Sequence, residues 1–334
     1  MTATRPIVIA GAGSIGCFVG GVLAAAGRDV ALLARSRVIA EIATHGLRVT
    51  GENLDRTIAA NRLIMSEDPA ILHHAGIVLV TVKSPHTVEM ADLMARHLPE
   101  DAVVVSLQNG IGNVAALRQR LGPRVLGGMV PFNVVALGDG RYHRATSGDI
   151  VIERDAGETA TQLSVANLAA RTTDDIVGVQ WGKLLVNLNN ALNALSGRPL
   201  REQLADRAWR KLFADQMAEG LAVLKSEGIR PVSATPVPGN LLPYLLRLPD
   251  FVFSRVLGRT MKIDPEARSS MWEDLQRGRR TEIDYLQGVI VRIAADRRIA
   301  VPISERVVTL VKAAELAGHG APGFTASQIR GQIG

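Results

Sequence analysis

The chain has 334 residues, 47% of them hydrophobic and 21% charged, with a net charge of +6. That length and apolar content suit a large core split into two domains. No apolar run approaches the roughly 20 residues that cross a bilayer, and a lone cysteine, Cys17, excludes an intrachain disulfide. The basic excess lies in residues 177–334, with 22 basic and 15 acidic side chains against 16 and 17 in residues 1–176. Its arginines are scattered, aromatic residues are 4% of the chain, and no nucleic-acid motif is present. The excess therefore reads as steering of anionic small molecules, with neither nucleic acid nor membrane as a partner. The lone thiol and the lack of room for a signal peptide before the first apolar run lead us to expect a cytoplasmic protein.

The chain opens with the apolar run Ile7 to Ala10, then Gly11-Ala12-Gly13-Ser14-Ile15-Gly16, a helical segment to about Ala26, and a second apolar run, Val30 to Ala34. Strand, glycine turn, helix and strand in this order are the opening of a dinucleotide-binding fold. Gly11 permits the tight turn, Gly13 lets the backbone approach a pyrophosphate, Gly16 lets helix and strand pack, and the helix start offers free N–H groups. Past the second strand, an NAD site usually carries an acid for the ribose hydroxyls. Here Arg35-Ser36-Arg37 stands instead, with no acid close in sequence. A guanidinium grips a 2′-phosphate with two hydrogen bonds, so the expected cofactor is NADP(H).

Further along, residues 36–45 read as helix and 46–51 as a short strand; 52–75 give no clear pattern. Strands are expected at Ile77 to Val82 and at Val103 to Leu107, with a helix at Thr87 to His97 between them. A helix and a strand over 125–132 then complete a mostly parallel sheet. Strands are also expected within 143–153 and 173–177, flanking a helix at 158–170. Beyond 177 the strand pattern stops, and 180–226, 266–277 and 282–317 read as helices. The expected class is α/β, an N-terminal Rossmann dinucleotide-binding domain over 1–176 and an all-helical substrate domain over 177–334. Segment 229–262 contains an apolar stretch from Leu241 to Phe253, too short to span a membrane. It is expected to pack on the domain, to cover the site, or to form a subunit contact, which leaves a homodimer open.

Ligands of open α/β sheets bind beyond the carboxyl ends of the strands. Arg35, Lys83 and Asn109 all fall at such ends, suiting Lys83 to a cofactor phosphate and Asn109 to the nicotinamide or the substrate. In the second half, Trp181 to Leu195 is a mostly apolar helix carrying one lysine and four asparagines. Buried ammonium and amide groups need partners. Lys183, Asn187 and Asn190 share a face, either lining a site for a polar anionic substrate or forming an interhelical network. A second cluster, Ser269-Ser270-Met271 and Thr281-Glu282-Ile283-Asp284-Tyr285, puts two acids just after Thr281, where a helix cap and first turn would also favour them.

These motifs, in this order behind the glycine turn, closely resemble the ketopantoate reductase (2-dehydropantoate 2-reductase) family over nearly the full chain. They are the glycine turn, Arg35, Lys83 in Thr-Val-Lys, Asn109-Gly110-Ile111-Gly112, Trp181-Gly182-Lys183-Leu184 and Asn187, followed by the second cluster. The resemblance implies an NADPH-dependent reduction of a 2-oxo acid, ketopantoate first among them. In it Lys183 is the proton donor, Asn109 and Asn187 contact substrate or cofactor, Ser270 binds the substrate carboxylate, and Glu282 sits beside cofactor and substrate. No metal is implied. The chain departs from the family pattern at Ala191, where an asparagine is frequent and for which Asn190 is a stand-in. It departs again at 198–201, at 129–133 and in the long 231–262 segment. Those departures bear on the substrate, so another 2-oxo acid or an imine stays open. A non-catalytic NADP sensor would have no need of Lys183, Ser270 and Glu282.

Overall fold

The structure, a computed structural model, describes residues 5–233, 237–257 and 267–331. Two compact units, Met1–Ile176 and Val177–Gly334, account for the chain.

In the first unit, short β-branched and aliphatic runs make the strands, and glycine or polar residues end them. In chain order the elements are β1 (Ile7–Ala10), α1 (Ser14–Ala25), β2 (Val30–Leu33), α2 (Ser36–His45), β3 (Leu47–Gly51), β4 (Leu54–Ile58), β5 (Ile64–Ser66), β6 (Ile77–Val80), α3 (Thr87–His97), β7 (Val103–Ser106) and α4 (Asn113–Leu121). They continue with β8 (Val125–Met129), β9 (Val134–Gly138), β10 (Arg141–Arg144), β11 (Ile150–Glu153), α5 (Thr159–Leu163) and β12 (Ala170–Thr173). The main sheet has the order β12-β11-β8-β7-β6-β1-β2-β5, parallel throughout except at β11 against β8. Chain order reverses between β1 and β6, the crevice position for ligands in doubly wound sheets. Alternation of side chains along β1 sends Ile7 and Ile9 to a core shared with Phe18 and Leu23 of α1. Val8 and Ala10 go to a second core with Met94 of α3 and Leu117 of α4. The sheet is thus covered on both faces, as parallel sheets require.

Several sequence expectations need correction here. Residues 52–75 hold β4 and β5, and the expected 143–153 strand is two strands, β10 and β11, in different sheets. The 173–177 strand is β12, ending at Thr173, and the 158–170 helix shrinks to α5. The cause is long-range pairing. β10 lies parallel to β3, some ninety residues earlier, in a small sheet of order β4-β3-β10-β9 packed on α1.

The second unit is helical: α6 (Ile176–Asn187), α7 (Asn189–Ser196), α8 (Leu200–Ala205), α9 (Arg207–Ser226), α10 (Leu242–Leu246), α11 (Asp250–Leu257), α12 (Ser270–Gln276), α13 (Gln287–Arg297), α14 (Pro302–Ala317) and α15 (Ala326–Arg330). The long helices expected over 180–226 and 282–317 are broken where local chemistry stops a helix. Gly197 adopts φ 66° and Pro199 follows, Asp206 caps α9, and Arg298 at φ 54° precedes Pro302. Of segment 229–262, α10 packs on α9, while residues 234–236 and 258–266 lie outside the described residues. Arg210, fully buried on α9, donates to the carbonyls of Leu204, Ala205, Leu246 and Leu248 and pairs with Asp250 at 2.7 Å, holding α10 and α11 in place. Among the described residues no helix is long and apolar enough to cross a membrane.

Candidate active site

The glycine turn is shaped by close approach. A Cβ on Gly11, whose φ is 90°, would stand 2.3 Å from Val82 Cγ1, and one on Gly16 would stand 2.5 Å from Thr81 Oγ1. Both glycines therefore press the turn and α1 onto the end of β6. At Gly13 a Cβ would meet nothing nearer than the Gly11 carbonyl at 3.9 Å, so this side of the turn is an open cradle. Gly13 is also the N-cap of α1, and no side chain caps that helix. The first amides, those of Ser14, Ile15 and Gly16, have no intrahelical acceptor by geometry, which fits a pyrophosphate. The amides of Gly11 and Ala12 are spent on the Leu33 carbonyl, tying the turn to β2.

Past β2, Arg35 is exposed and its side chain makes no ion pair or hydrogen bond among the described residues. The expectation of no acid nearby holds along the sequence but not in space. Glu67 Oε1 accepts a 2.7 Å hydrogen bond from the Ser36 amide.

Lys83 and Asn109, both half-buried, follow β6 and β7 on turns locked together by a buried polar network that sequence reasoning missed. Gln108 Nε2 donates to the Val82 carbonyl at 3.1 Å and to Thr87 Oγ1 at 2.7 Å. Asn113 Nδ2 donates to the Asn109 carbonyl at 2.7 Å and to Ser84 Oγ at 3.1 Å, and Ser84 Oγ donates to the Asn109 carbonyl at 2.9 Å. The network fixes the backbone under both candidate cofactor residues.

In the second unit, α6 is largely buried, with Trp181, Leu184 and Leu185 at 1–3% exposure, while Lys183 and Asn187 are half-buried. A Cβ on Gly182 would lie 1.7 Å from the Val232 carbonyl, so the glycine in Trp-Gly-Lys admits the 229–233 segment across the helix. The four asparagines divide. Asn189 and Asn193 are buried and bonded to Gln203, and Asn193 also donates to the Arg198 carbonyl. Asn187 and Asn190 are half-buried, and their side chains make no hydrogen bond among the described residues. Helix α6 ends at Asn187, and the Leu188 carbonyl at the break accepts from buried Gln287 Nε2 at 2.8 Å.

Lys183 does not keep the ordinary lysine value near 10.4. Burial pushes its ammonium down to about 8, while the Glu282 carboxylate works to raise it. The two acids after Thr281 have separate partners: Asp284 pairs with Lys312 at 2.7 Å, and Glu282 acts on Lys183. Thr281 caps no α-helix. Its hydroxyl donates to Glu315 Oε1 at 2.6 Å and accepts from the Ile283 amide at the start of a single 3₁₀ turn, Ile283–Tyr285, and α13 begins only at Gln287.

Ser269 is the N-cap of α12, which leaves Ser270 exposed at its first position. Sequence reasoning also missed Arg268 and Trp272. The guanidinium lies 5.0 Å from the indole ring centre, and both Arg268 Nη1 and Trp272 Nε1 are buried donors with no acceptor among the described residues. The signal available was an arginine directly before the Ser-Ser pair. Among the described residues no cluster of potential metal ligands occurs.

A Rossmann unit with an open, uncapped glycine cradle, and a helical unit bearing a desolvated lysine with its carboxylate, define a dinucleotide-dependent oxidoreductase. Residues 7–157 match the family Ketopantoate reductase PanE/ApbA and residues 175–315 its C-terminal counterpart. A 2-dehydropantoate 2-reductase from Halobacterium salinarum is 30% identical over 322 residues, covering 93% of this chain and 99% of that one. The crystal structure of a PanE/ApbA family ketopantoate reductase from Ralstonia eutropha JMP134 superposes with a TM-score of 0.81 at 31% identity, covering 94% of this chain and 99% of that one. A D-mandelate dehydrogenase, 22% identical with a TM-score of 0.79 over 94% of this chain and 99% of that one, shares the fold. The chain belongs to the ketopantoate reductase family.

Proposed function

We propose that this chain reduces 2-dehydropantoate to pantoate with NADPH, as in pantothenate biosynthesis. What supports the reading is the place of Lys183, half-buried on the largely buried helix α6 and under the field of the Glu282 carboxylate, where burial lowers its pKa to about 8 and suits it to donate a proton near neutral pH. In the first unit, the open cradle at Gly13 and the amides of Ser14, Ile15 and Gly16 take the pyrophosphate, with Arg35 on the 2′-phosphate and Lys83 on a neighbouring phosphate. Asn109, set by its backbone network, holds the nicotinamide amide or the substrate. Bound NADPH supplies the hydride.

The remaining steps belong to the chain's own side chains. Lys183 Nζ hydrogen-bonds the substrate carbonyl oxygen, stabilises the charge that grows on it, and delivers the proton that completes the alcohol. Glu282 keeps that ammonium charged. Asn187 and Asn190, whose side-chain amides make no hydrogen bond among the described residues, hold substrate hydroxyl and carbonyl groups. The Ser270 hydroxyl takes the substrate carboxylate, helped by the buried donors Arg268 Nη1 and Trp272 Nε1, which have no acceptor among the described residues.

Ala191 favours a second reading, a different 2-oxo acid, because it offers a methyl where the family frequently carries an amide. NADPH consumption with a panel of 2-oxo acids, with and without amines, tests both. The first reading requires 2-dehydropantoate to show the highest kcat/KM and pantoate to be formed. If pantoate does not appear while another 2-oxo acid turns over, the substrate assignment falls and the reaction class stands.

Two finer features complete the proposal. Tyr244 and Phe251, 69% and 72% exposed, suit a homodimer contact, which light scattering on the eluted protein decides. The single buried thiol of Cys17 suits the cytoplasm.

A further inference from the structure

We propose that Glu67 sets the balance between NADPH and NADH by holding, with its own carboxylate, the backbone amide that a 2′-phosphate would take. The inference rests on the dinucleotide reading of the first unit and concerns a residue outside every motif named above. Strand β5 runs parallel to β2 with Ser66 opposite Leu33, and the Ala34 amide donates to the Ser66 carbonyl at 3.0 Å. Glu67, the first residue past β5, is thereby delivered to the start of α2. There its Oε1 accepts from the Ser36 amide at 2.7 Å. Arg35, the N-cap of α2, provides no side-chain cap, and the first turn carries no acid of its own. The carboxylate therefore serves as the anion that the helix start attracts.

This is the end of β2, where a dinucleotide fold places the adenosine ribose. Two opposed groups meet at that point. Arg35 favours a dianionic 2′-phosphate. Glu67 repels it and competes for Ser36 N–H, while offering a ribose 2′-hydroxyl the acceptor that an acid at the end of β2 ordinarily supplies. The preference is set by the difference between them. An acid thirty-one positions beyond Ser36 thus takes the role that the β2 end leaves vacant.

The test is direct titration of NADPH and of NADH, by dinucleotide fluorescence, against the intact wild-type chain, Glu67→Gln and Glu67→Ala. Glutamine removes the charge but keeps an acceptor for Ser36 N–H, so α2 stays capped, and NADH binding reports that each variant is folded. The ratio of the two dissociation constants should move towards NADPH by about tenfold in at least one variant. NADPH should bind more tightly, and NADH equally or more weakly. A ratio unchanged in both variants, or one that moves towards NADH, overturns the proposal. The NADPH assignment is judged separately, on which dinucleotide the wild type binds more tightly. Either idea can therefore fail without the other.

Discussion

The backbone amide of Ser269 donates to Asn193 Oδ1 at 2.9 Å, and the Ser269 hydroxyl donates to the Asn190 carbonyl at the same distance. The two polar motifs of the helical unit, more than seventy residues apart, are joined by this contact. Asn193 is fully buried and also bonds the Arg198 carbonyl and Gln203, so it positions the Ser270 hydroxyl from behind. Asn193→Ala leaves several buried groups without partners, at about 1–3 kcal/mol for each. Urea unfolding should show a lower midpoint, and the surviving folded enzyme should show a raised KM for the 2-oxo acid with NADPH affinity kept. Unchanged stability and KM would remove Asn193 from this role.

Lys183→Ala should cut turnover by about a hundredfold to a thousandfold, the range for loss of a donor that acts mainly in the transition state. Its NADPH affinity should change little, because the amides proposed to take the phosphates, those of the glycine turn, belong to the first unit. Steady-state turnover and an NADPH titration on one preparation decide it. Near-normal turnover would take Lys183 out of the mechanism.

Lys183 also sets an expected pH dependence. Carbonyl reduction needs the ammonium, whose fraction falls as pH rises through about 8, so kcat should decline above that value. Glu282 favours the charged form, and Glu282→Gln should move the falling limb to lower pH. A limb that stays in place in the Gln variant would show that Glu282 does not act through the lysine.

The same shift makes a statement about stability. The folded value of about 8 lies below the ordinary lysine value of 10.5, so the native state binds this proton less tightly than the unfolded chain. The cost is fully present below about pH 8 and fades as pH approaches 10.5. Lys183→Met should therefore gain stability relative to wild type at pH 7, and the gain should shrink between pH 8 and 10. Urea midpoints across that range measure it, and a gain independent of pH would contradict the assignment.

Arg35→Ala should weaken NADPH binding by about 1.5–3 kcal/mol, the range for hydrogen bonds to charged groups, with a much smaller effect on NADH. Equal losses for both dinucleotides in a titration would mean that Arg35 does not read the 2′-phosphate.

What the sequence determined by itself is what short-range chemistry controls. The glycine turn is legible because Gly11 and Gly16 meet strand residues in their own βαβ unit and its neighbour. The parallel strands are legible because burial on both faces demands continuous apolar runs. The shared face of Lys183 and Asn187 follows from helical spacing alone. Tertiary structure decided the rest. Strand β10 belongs beside β3 through pairing that no local period encodes, and Asn189 and Asn193 turn to Gln203 while the side chains of Asn187 and Asn190 bond to none of the described residues. Of the two acids after Thr281, Asp284 pairs with Lys312, while Glu282 acts electrostatically on Lys183. The acid at the start of α2 is Glu67, delivered from just past β5. Each outcome depends on which distant group the packed fold brings near, because the desolvation of a polar side chain and the partner that offsets it are properties of the packed core.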